Sequence, residues 1–405
     1  MKFGCIADDF TGATDLAGLL RRSGASVKLH FGLPDQPSDG LSDIEIIALK
    51  CRTEPVAQAV SDCSEAALWL LAGGAELLYW KYCSTFDSTD QGNIGPVAEA
   101  LMAITRQTQA LYCPAFPENG RAVFMGHLFV GDQLLNESSM KDHPLTPMRD
   151  ANLARVLTPQ VSQSVGVWNR VSQRAGGNLP SETHVIADAV EFSDLEFLIE
   201  HTPKHVLLTG GSALAMPVPD RLGIASQNTS PDPKPGPRAI VFSGSCSQMT
   251  QRQVAHYVTS HPSYQITPET LDADAIAACI DWLQSLDSTE TPLIYATASP
   301  ESVKASQASL GVSEAGALVE HAMASIAQAA HQQGMRRFVV AGGETSGAVT
   351  QALEITEVMI GEEICPGVPW VYGGLQNDVI ALALKSGNFG TPTFFSDALA
   401  LLESE

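Results

Sequence analysis

The chain has 405 residues, too many for one ordinary core at roughly 150 residues per domain, so two or three domains are expected. Its 44% hydrophobic and 17% charged side chains suit a globular protein, and 45 acidic against 23 basic residues, a formal net charge of -22, exclude a broad nucleic-acid or anionic-membrane surface. That balance does not exclude a small anionic ligand, which needs only a few converging donors and cations.

Short apolar runs that end in glycine or polar turns alternate with helical patterns, which predicts parallel α/β architecture. "FGCIA" at 3–7 reads as a strand. "GATDLAGLLRRSG" reads as a helix, with Asp15 in its first turn and Gly24 as its stop. "EIIALK" at 45–50 is a second strand and is followed by Arg52. A helix starts near Val56, then come "ELLYWKY" and a helix at "PVAEALMAITRQT". "ALYCPAFPENG" begins a fourth unit, and "RAVFMGHLFVGDQLLNES" reads as a hairpin insertion of two strands joined near Gly131 and Asp132. "HVIADA" and "HVLLTGGSALA" resume the alternation.

The clearest boundary is "NTSPDPKPGPRAI", where Pro231, Pro233, Pro235 and Pro237 oppose both helix and central strand. The expected organisation is therefore a first domain over 1–228, a linker over 229–238 and a second domain over 239–405. Each domain is expected to be built on a mainly parallel sheet with flanking helices. Eight cysteines without a C-x-x-C pair read as reduced thiols, and no run reaches the ~18 apolar residues of a membrane helix. A cytoplasmic protein without nucleic-acid or membrane partners is expected.

In the second half, "VVAGGETSGAVTQAL" runs a strand into a turn with Gly342, Gly343 and Gly347 and then into a helix, where free N–H groups suit a phosphate. "FSGSCSQMTQ" repeats the idea with Ser243, Gly244, Ser245 and Ser247. A third pair, Gly373 and Gly374, precedes "LQNDVIALALKSG", read as a helix that Asp378 opens and Gly387 closes. Three such turns favour a nucleotide site beyond the carboxyl ends of parallel strands, although each alone is equally a tight turn or a cap.

The same edge in the first half carries other chemistry. Asp8 and Asp9 follow one strand, Lys50 and Arg52 flank another, and "KYCSTFDST" adds Lys81, Ser84, Thr85, Asp87 and Ser88. "PAFPENGR" adds Glu118, Asn119 and Arg121. Cations able to hold a carboxylate and acids able to handle a hydroxyl converge there. Pro203 interrupts "HTPKH", and no H-E-x-x-H, G-x-S-x-G or acid-x-acid motif follows a strand, so zinc, serine-hydrolase and aspartyl-phosphatase chemistry have little support.

Taken in order, "IADDFTGATDLAG", "KYCSTFDST" with "GNIGP", "PAFPENGR", "HPLTPM", "FSGSCS", "AGGETSG" and "GGLQNDVIALALKSGNFG" resemble the four-carbon acid sugar kinase family over residues 6–390, nearest to its 3-oxo-tetronate 4-kinase branch. The branch rests on Cys83 to Phe86, which intervene before Asp87 where relatives acting on threonate carry a shorter K-x-D-S-T. Asp90 and Gln91 stand where Pro-Glu is expected after Thr89.

The resemblance implies a sugar-acid domain followed by a nucleotide domain, with ATP and Mg²⁺ as cofactors and phosphorylation of the terminal hydroxyl of a 3-oxo-tetronate. Its implied catalytic residues are Asp9 and Asp8, and its substrate residues Lys81, Ser84, Asp87 and Arg121. The implied nucleotide residues are Ser243, Gly244, Ser245, Ser247, Gly342, Gly343, Glu344, Thr345, Ser346, Gly373, Gly374 and Gly387, with Asp378 for the metal. A kinase of threonate or erythronate and a non-catalytic sensor of sugar acid and nucleotide are the alternatives. A homodimer is entertained without a residue to point to it.

Overall fold

The computed structural model describes residues 1–143, 145–224, 233–298, 306, 308–309, 311–374 and 378–403. The chain forms two compact units, residues 1–229 and 230–405. In the expected linker, residues 229–232 lie outside the described residues. Residues 233–238, with three of the prolines, carry neither helix nor strand.

In the first unit the strands are β1 (Phe3–Ala7), β2 (Val27–Phe31), β3 (Ile44–Ala48), β4 (Leu77–Lys81), β5 (Gln109–Cys113), β6 (Arg121–Phe124), β7 (His127–Val130), β8 (Gln133–Leu134), β9 (Val165–Trp168), β10 (His184–Ala187) and β11 (Val206–Gly210). Eight of them form a parallel array in the order β2-β3-β1-β4-β11-β5-β10-β9. β1 and β3 are buried at all five positions, as expected of strands covered on both faces, and this is why they read as unbroken apolar runs. Helices α1 (Phe10–Arg21), α2 (Val56–Ala72) and α3 (Ile94–Thr105) follow β1, β3 and β4. Because β1 lies between β3 and β4, the loops after all three strands meet at one carboxyl edge.

The insertion holds three antiparallel strands, β6-β7-β8, where two were expected. The Gly131–Asp132 turn joins β7 to β8. The additional turn is Met125–Gly126, with φ of 51° and 71°, the left-handed pair that a two-residue hairpin turn requires. Met in such a position escapes the Asn-Gly or Asp-Gly signal. Its strain is offset because the N–H groups of Met125 and Gly126 donate to buried Asp188 at 2.6 and 2.9 Å.

The second unit contains β12 (Ala239–Ser243), β13 (Ser263–Gln265), β14 (Leu293–Tyr295), β15 (Arg337–Ala341), β16 (Glu357–Cys365), β17 (Val368–Gly373) and β18 (Ile380–Lys385), ordered β13-β14-β12-β15-β18-β17-β16. The pairs β16–β17 and β17–β18 are antiparallel and the rest are parallel. Trp370, Phe394, Phe395 and Leu399 anchor its core between the sheet and the helix Phe394–Glu403.

One expectation is corrected here. "IALALK" is not the middle of a helix from Asp378 to Gly387 but strand β18, buried at all six positions between β15 and β17. An apolar run with no alternation does not distinguish a buried strand from a buried helix, and the flanking glycines misled the reading of length.

Candidate active site

At the carboxyl edge of the first unit, Asp8 and Asp9 leave β1, Arg52 follows β3, Lys81 ends β4, and Asp87 and Arg121 follow β4 and β5. Arg52 grips Asp8 with two bonds, Nε to Oδ2 at 2.7 Å and Nη2 to Oδ1 at 2.9 Å, and its Nη2 also lies 2.8 Å from Asp9 Oδ1. The Arg52 loop is held by Asn93, whose Nδ2 donates to the carbonyls of Cys51 at 2.6 Å and Glu54 at 2.9 Å. Asp9 also caps α1, accepting from Gly12 N at 3.0 Å and Thr11 Oγ1 at 2.9 Å.

The two neighbouring carboxyls differ. Burial raises Asp8 above the ordinary carboxylate range against the pull of Arg52. Asp9 is desolvated too, but Arg52, Lys81 and the Thr11 and Gly12 donors outweigh that and hold it at about 2. Lys81 is 3% exposed and stands 3.8 Å from Asp9 Oδ1, with no hydrogen bond to its ammonium among the described residues. Gly12 makes room for it, since a Cβ there would lie 1.9 Å from Lys81 Nζ.

After β4 the segment Cys83–Phe86 forms a tight turn, with Phe86 N–H donating to the Cys83 carbonyl at 2.9 Å. Phe86 takes a φ of 54° with its ring packed edge-on against Tyr82, an uncommon conformation for a bulky residue. This turn brings Asp87 back to 4.0 Å from Arg52 Nη1, where Thr85 Oγ1 donates to it at 2.6 Å. Ser84 is half-buried, with no hydrogen bond among the described residues. Arg121 donates to the Asn119 carbonyl, while its buried Nε has no partner among the described residues. The expected residues Asp8, Asp9, Lys81 and Asp87 thus form one contact network. Arg121 lies near Cys83, Asp15 and Asp87.

In the second unit three adjacent strand ends, β12, β15 and β18, carry the other cluster. The N–H groups of Gly244 and Ser245 donate to the Ala341 carbonyl at 3.0 and 3.2 Å, and that of Gly342 to the Lys385 carbonyl at 2.9 Å. Gly342 has a φ of 123°, and a Cβ on it would stand 3.0 Å from Ser245 N. A Cβ on Gly244 would meet Thr345 Oγ1 at 2.0 Å, and one on Gly387 would meet Ser245 Oγ at 2.8 Å. The backbone at Gly342 therefore approaches the Ser245 backbone, and at Gly244 and Gly387 it approaches the side chains of Thr345, Ser245 and Ser247, with the N-termini of helices Gln248–Tyr257 and Gly343–Ala352 beside them. Ser247 caps the first of these, accepting from Thr250 N at 3.2 Å. Gly343 and Glu344 are exposed, Thr345 is buried, and Ser346 Oγ is buried without a partner among the described residues. These features fit a nucleotide phosphate.

Gly373, Gly374 and Asp378 do not join this cluster. Gly373 pairs with Ile380 at the start of β18, whereas Lys385 at its end pairs with Ala341, so they occupy the opposite edge, about 17 Å away along a strand of this length. Gly374, with a φ of 92° and room for a Cβ only 2.4 Å from the Asp378 carbonyl, is required by the chain reversal itself. Asp378 pairs with Arg336 and, at 3.2 Å, with His331, which leaves its carboxylate poorly placed for a metal on a phosphate. Arg52 was expected only as one of several cations able to hold a carboxylate, and Asn93 and Lys385 had no assigned role in the sequence. A cation just past a buried strand end was the available signal for Arg52.

Two family models match the chain, a sugar-binding N-terminal domain over residues 3–218 and a nucleotide-binding C-terminal domain over residues 240–395. Among curated relatives, a 3-oxo-tetronate kinase of Cupriavidus necator is 47% identical, with 98% of this chain and 96% of that protein covered. Another of that name, from Burkholderia multivorans, is 45% identical with 99% and 97% covered. A solved Salmonella typhimurium LT2 protein is similar with a TM-score of 0.83 at 38% identity, covering 98% of both chains.

Proposed function

We propose, from the premise that this chain belongs to the 3-oxo-tetronate kinase family, that it transfers the terminal phosphoryl group of ATP to the 4-hydroxyl of a four-carbon 3-oxo sugar acid. The observation that carries the reading is the carboxylate and cation network. An ionised Asp9 faces an ammonium with no hydrogen-bond partner among the described residues, which suits a substrate bearing both a hydroxyl and a carboxylate.

Asp9 orients the acceptor hydroxyl through a hydrogen bond. With its acid form so disfavoured it is a weak base, which suits a loose transition state in which the proton leaves late. Arg52 keeps Asp8 and Asp9 in register, and Lys81 and Arg121 hold the substrate carboxylate, with Ser84 offering a hydroxyl and Asp87 bracing Arg52. The acceptor oxygen bonds to the γ-phosphorus, the bond to the bridging oxygen breaks, ADP leaves, and the hydroxyl proton is released past Asp9 to solvent. The Ser243–Ser247 loop, the Gly342–Ser346 turn and Gly387 hold the phosphates. The charge of the bound phosphates would be neutralised by Mg²⁺ carried on the nucleotide. Donor and thiols alike suit the cytoplasm, where Cys51 and Cys63 stay reduced with sulfurs 3.7 Å apart.

The test is an ADP-release assay over a panel of four-carbon acids, with the phosphorylated carbon located by phosphorus NMR. ADP formed in step with a 4-phosphate of a 3-oxo-tetronate is expected. Turnover of threonate or erythronate alone would move the substrate class, and binding of both ligands without ADP would favour a sensor.

A further inference from the structure

Lys385 ends β18 with its side chain 0% exposed, and its Nζ donates to Gly387 O at 2.9 Å, Ser386 O at 3.0 Å and Thr250 Oγ1 at 3.1 Å. All three ammonium protons are thereby used, in the arrangement of a charged group. Yet no carboxylate lies within ion-pair distance among the described residues. The Gly387 carbonyl that it holds also accepts from the hydroxyls of Ser247 and Thr250, at 2.8 Å for the latter. Lys385 therefore sits behind two of the three loops of the glycine–serine cluster, as a buried cation lacking a counter-charge.

Resting on the kinase reading above, we propose that Lys385 is a positioning residue of the nucleotide site. Its ammonium fixes the Ser386–Gly387 backbone against the serine loop and takes its counter-charge from the polyphosphate of the bound nucleotide. In the free protein, burial pulls its pKa down to about 7, with the Cys365 thiol a minor opposing influence. On the elements packed around it, Asp397, Glu344, Arg252 and His256 are exposed to solvent, and Arg337 lies at the other end of β15. An anion bound against the loops favours the protonated form, so binding couples to proton uptake.

Calorimetric titration of the whole chain with ATP and with adenosine, in buffers of differing ionisation heat, tests this. Near pH 8 the wild-type protein should take up most of one proton per ATP, near pH 6 far less, and with adenosine almost none. Lys385→Met should weaken ATP about tenfold or more, leave adenosine within about twofold and abolish the uptake. A loss caused by general damage to the fold would weaken both ligands alike, and that result overturns the proposal. So does wild-type ATP binding without proton uptake at pH 8, a measurement that needs no variant. Absence of any ATP binding to the wild-type protein overturns the kinase reading as well, which separates the two failures.

Discussion

The two clusters solve opposite problems with opposite materials. At the edge of the first unit, charged side chains from the ends of three strands neutralise one another, with Arg52 at the centre and Asp8, Asp9 and Asp87 around it. At the edge of the second unit, glycine backbone packed close against the serine loop and Thr345 at Gly244, Gly342 and Gly387 does the building, and the buried charge of Lys385 stands behind it. A site for a small acid with a reacting hydroxyl needs charges at defined points, whereas a polyphosphate needs many N–H groups in a shallow cradle. Substitutions in the first cluster should therefore separate turnover from acid binding, and those in the second should act on nucleotide alone.

The largest effect should come from Asp9→Asn. Loss of the ionised group at the acceptor should lower kcat about 10²- to 10⁴-fold while the KM for ATP stays within about threefold. Asp8→Asn is the control, because Asp8 is bound to Arg52 with both oxygens. It should disturb Arg52, raise the KM for the acid and cost less in kcat. Equal losses of kcat in both variants would break the distinction drawn between the two carboxylates. Steady-state kinetics with both substrates varied measures it.

Most of this arrangement was legible in the sequence, for a definite reason. Strand ends in a parallel sheet share an edge, so polar residues that follow buried runs must meet. Asp8, Asp9, Lys81 and Asp87 did so. Arg52 was visible as a cation after β3 but went unassigned, since only the order β3-β1-β4 sets it opposite Asp8. The same reasoning failed at Gly373, Gly374 and Asp378. Reading β18 as a helix hid the reversal of β17, and that reversal turns its carboxyl end to the opposite edge. Glycine pairs report that a backbone bends or approaches closely, not which end of a sheet they serve. The Met125–Gly126 turn was missed because a side chain occupies a left-handed position that glycine usually marks.

A second, smaller effect concerns the cation without a complete set of partners. Arg121→Ala should weaken the sugar acid by about 10- to 100-fold, as expected for losing a charge-assisted contact, and leave ATP binding unchanged. Binding titrations of each ligand alone measure this, and a selective ATP defect would remove Arg121 from the acid site. Lys81→Met offers the same comparison at the cation beside Asp9.

The smallest effect lies in the glycine–serine cluster. Ser346 Oγ is buried with no partner among the described residues, so the hydroxyl costs stability when no ligand is bound. Ser346→Ala should raise the stability of the chain by about 1 kcal/mol in denaturant unfolding, since an unsatisfied donor is removed without opening a large cavity. The same change should weaken ATP severalfold, because the hydroxyl's partner would be a phosphate oxygen. Stability gained with affinity lost identifies the hydroxyl as held in readiness for the ligand. Stability gained with affinity intact would assign the nucleotide site to backbone groups alone and sharpen the contrast between the two clusters.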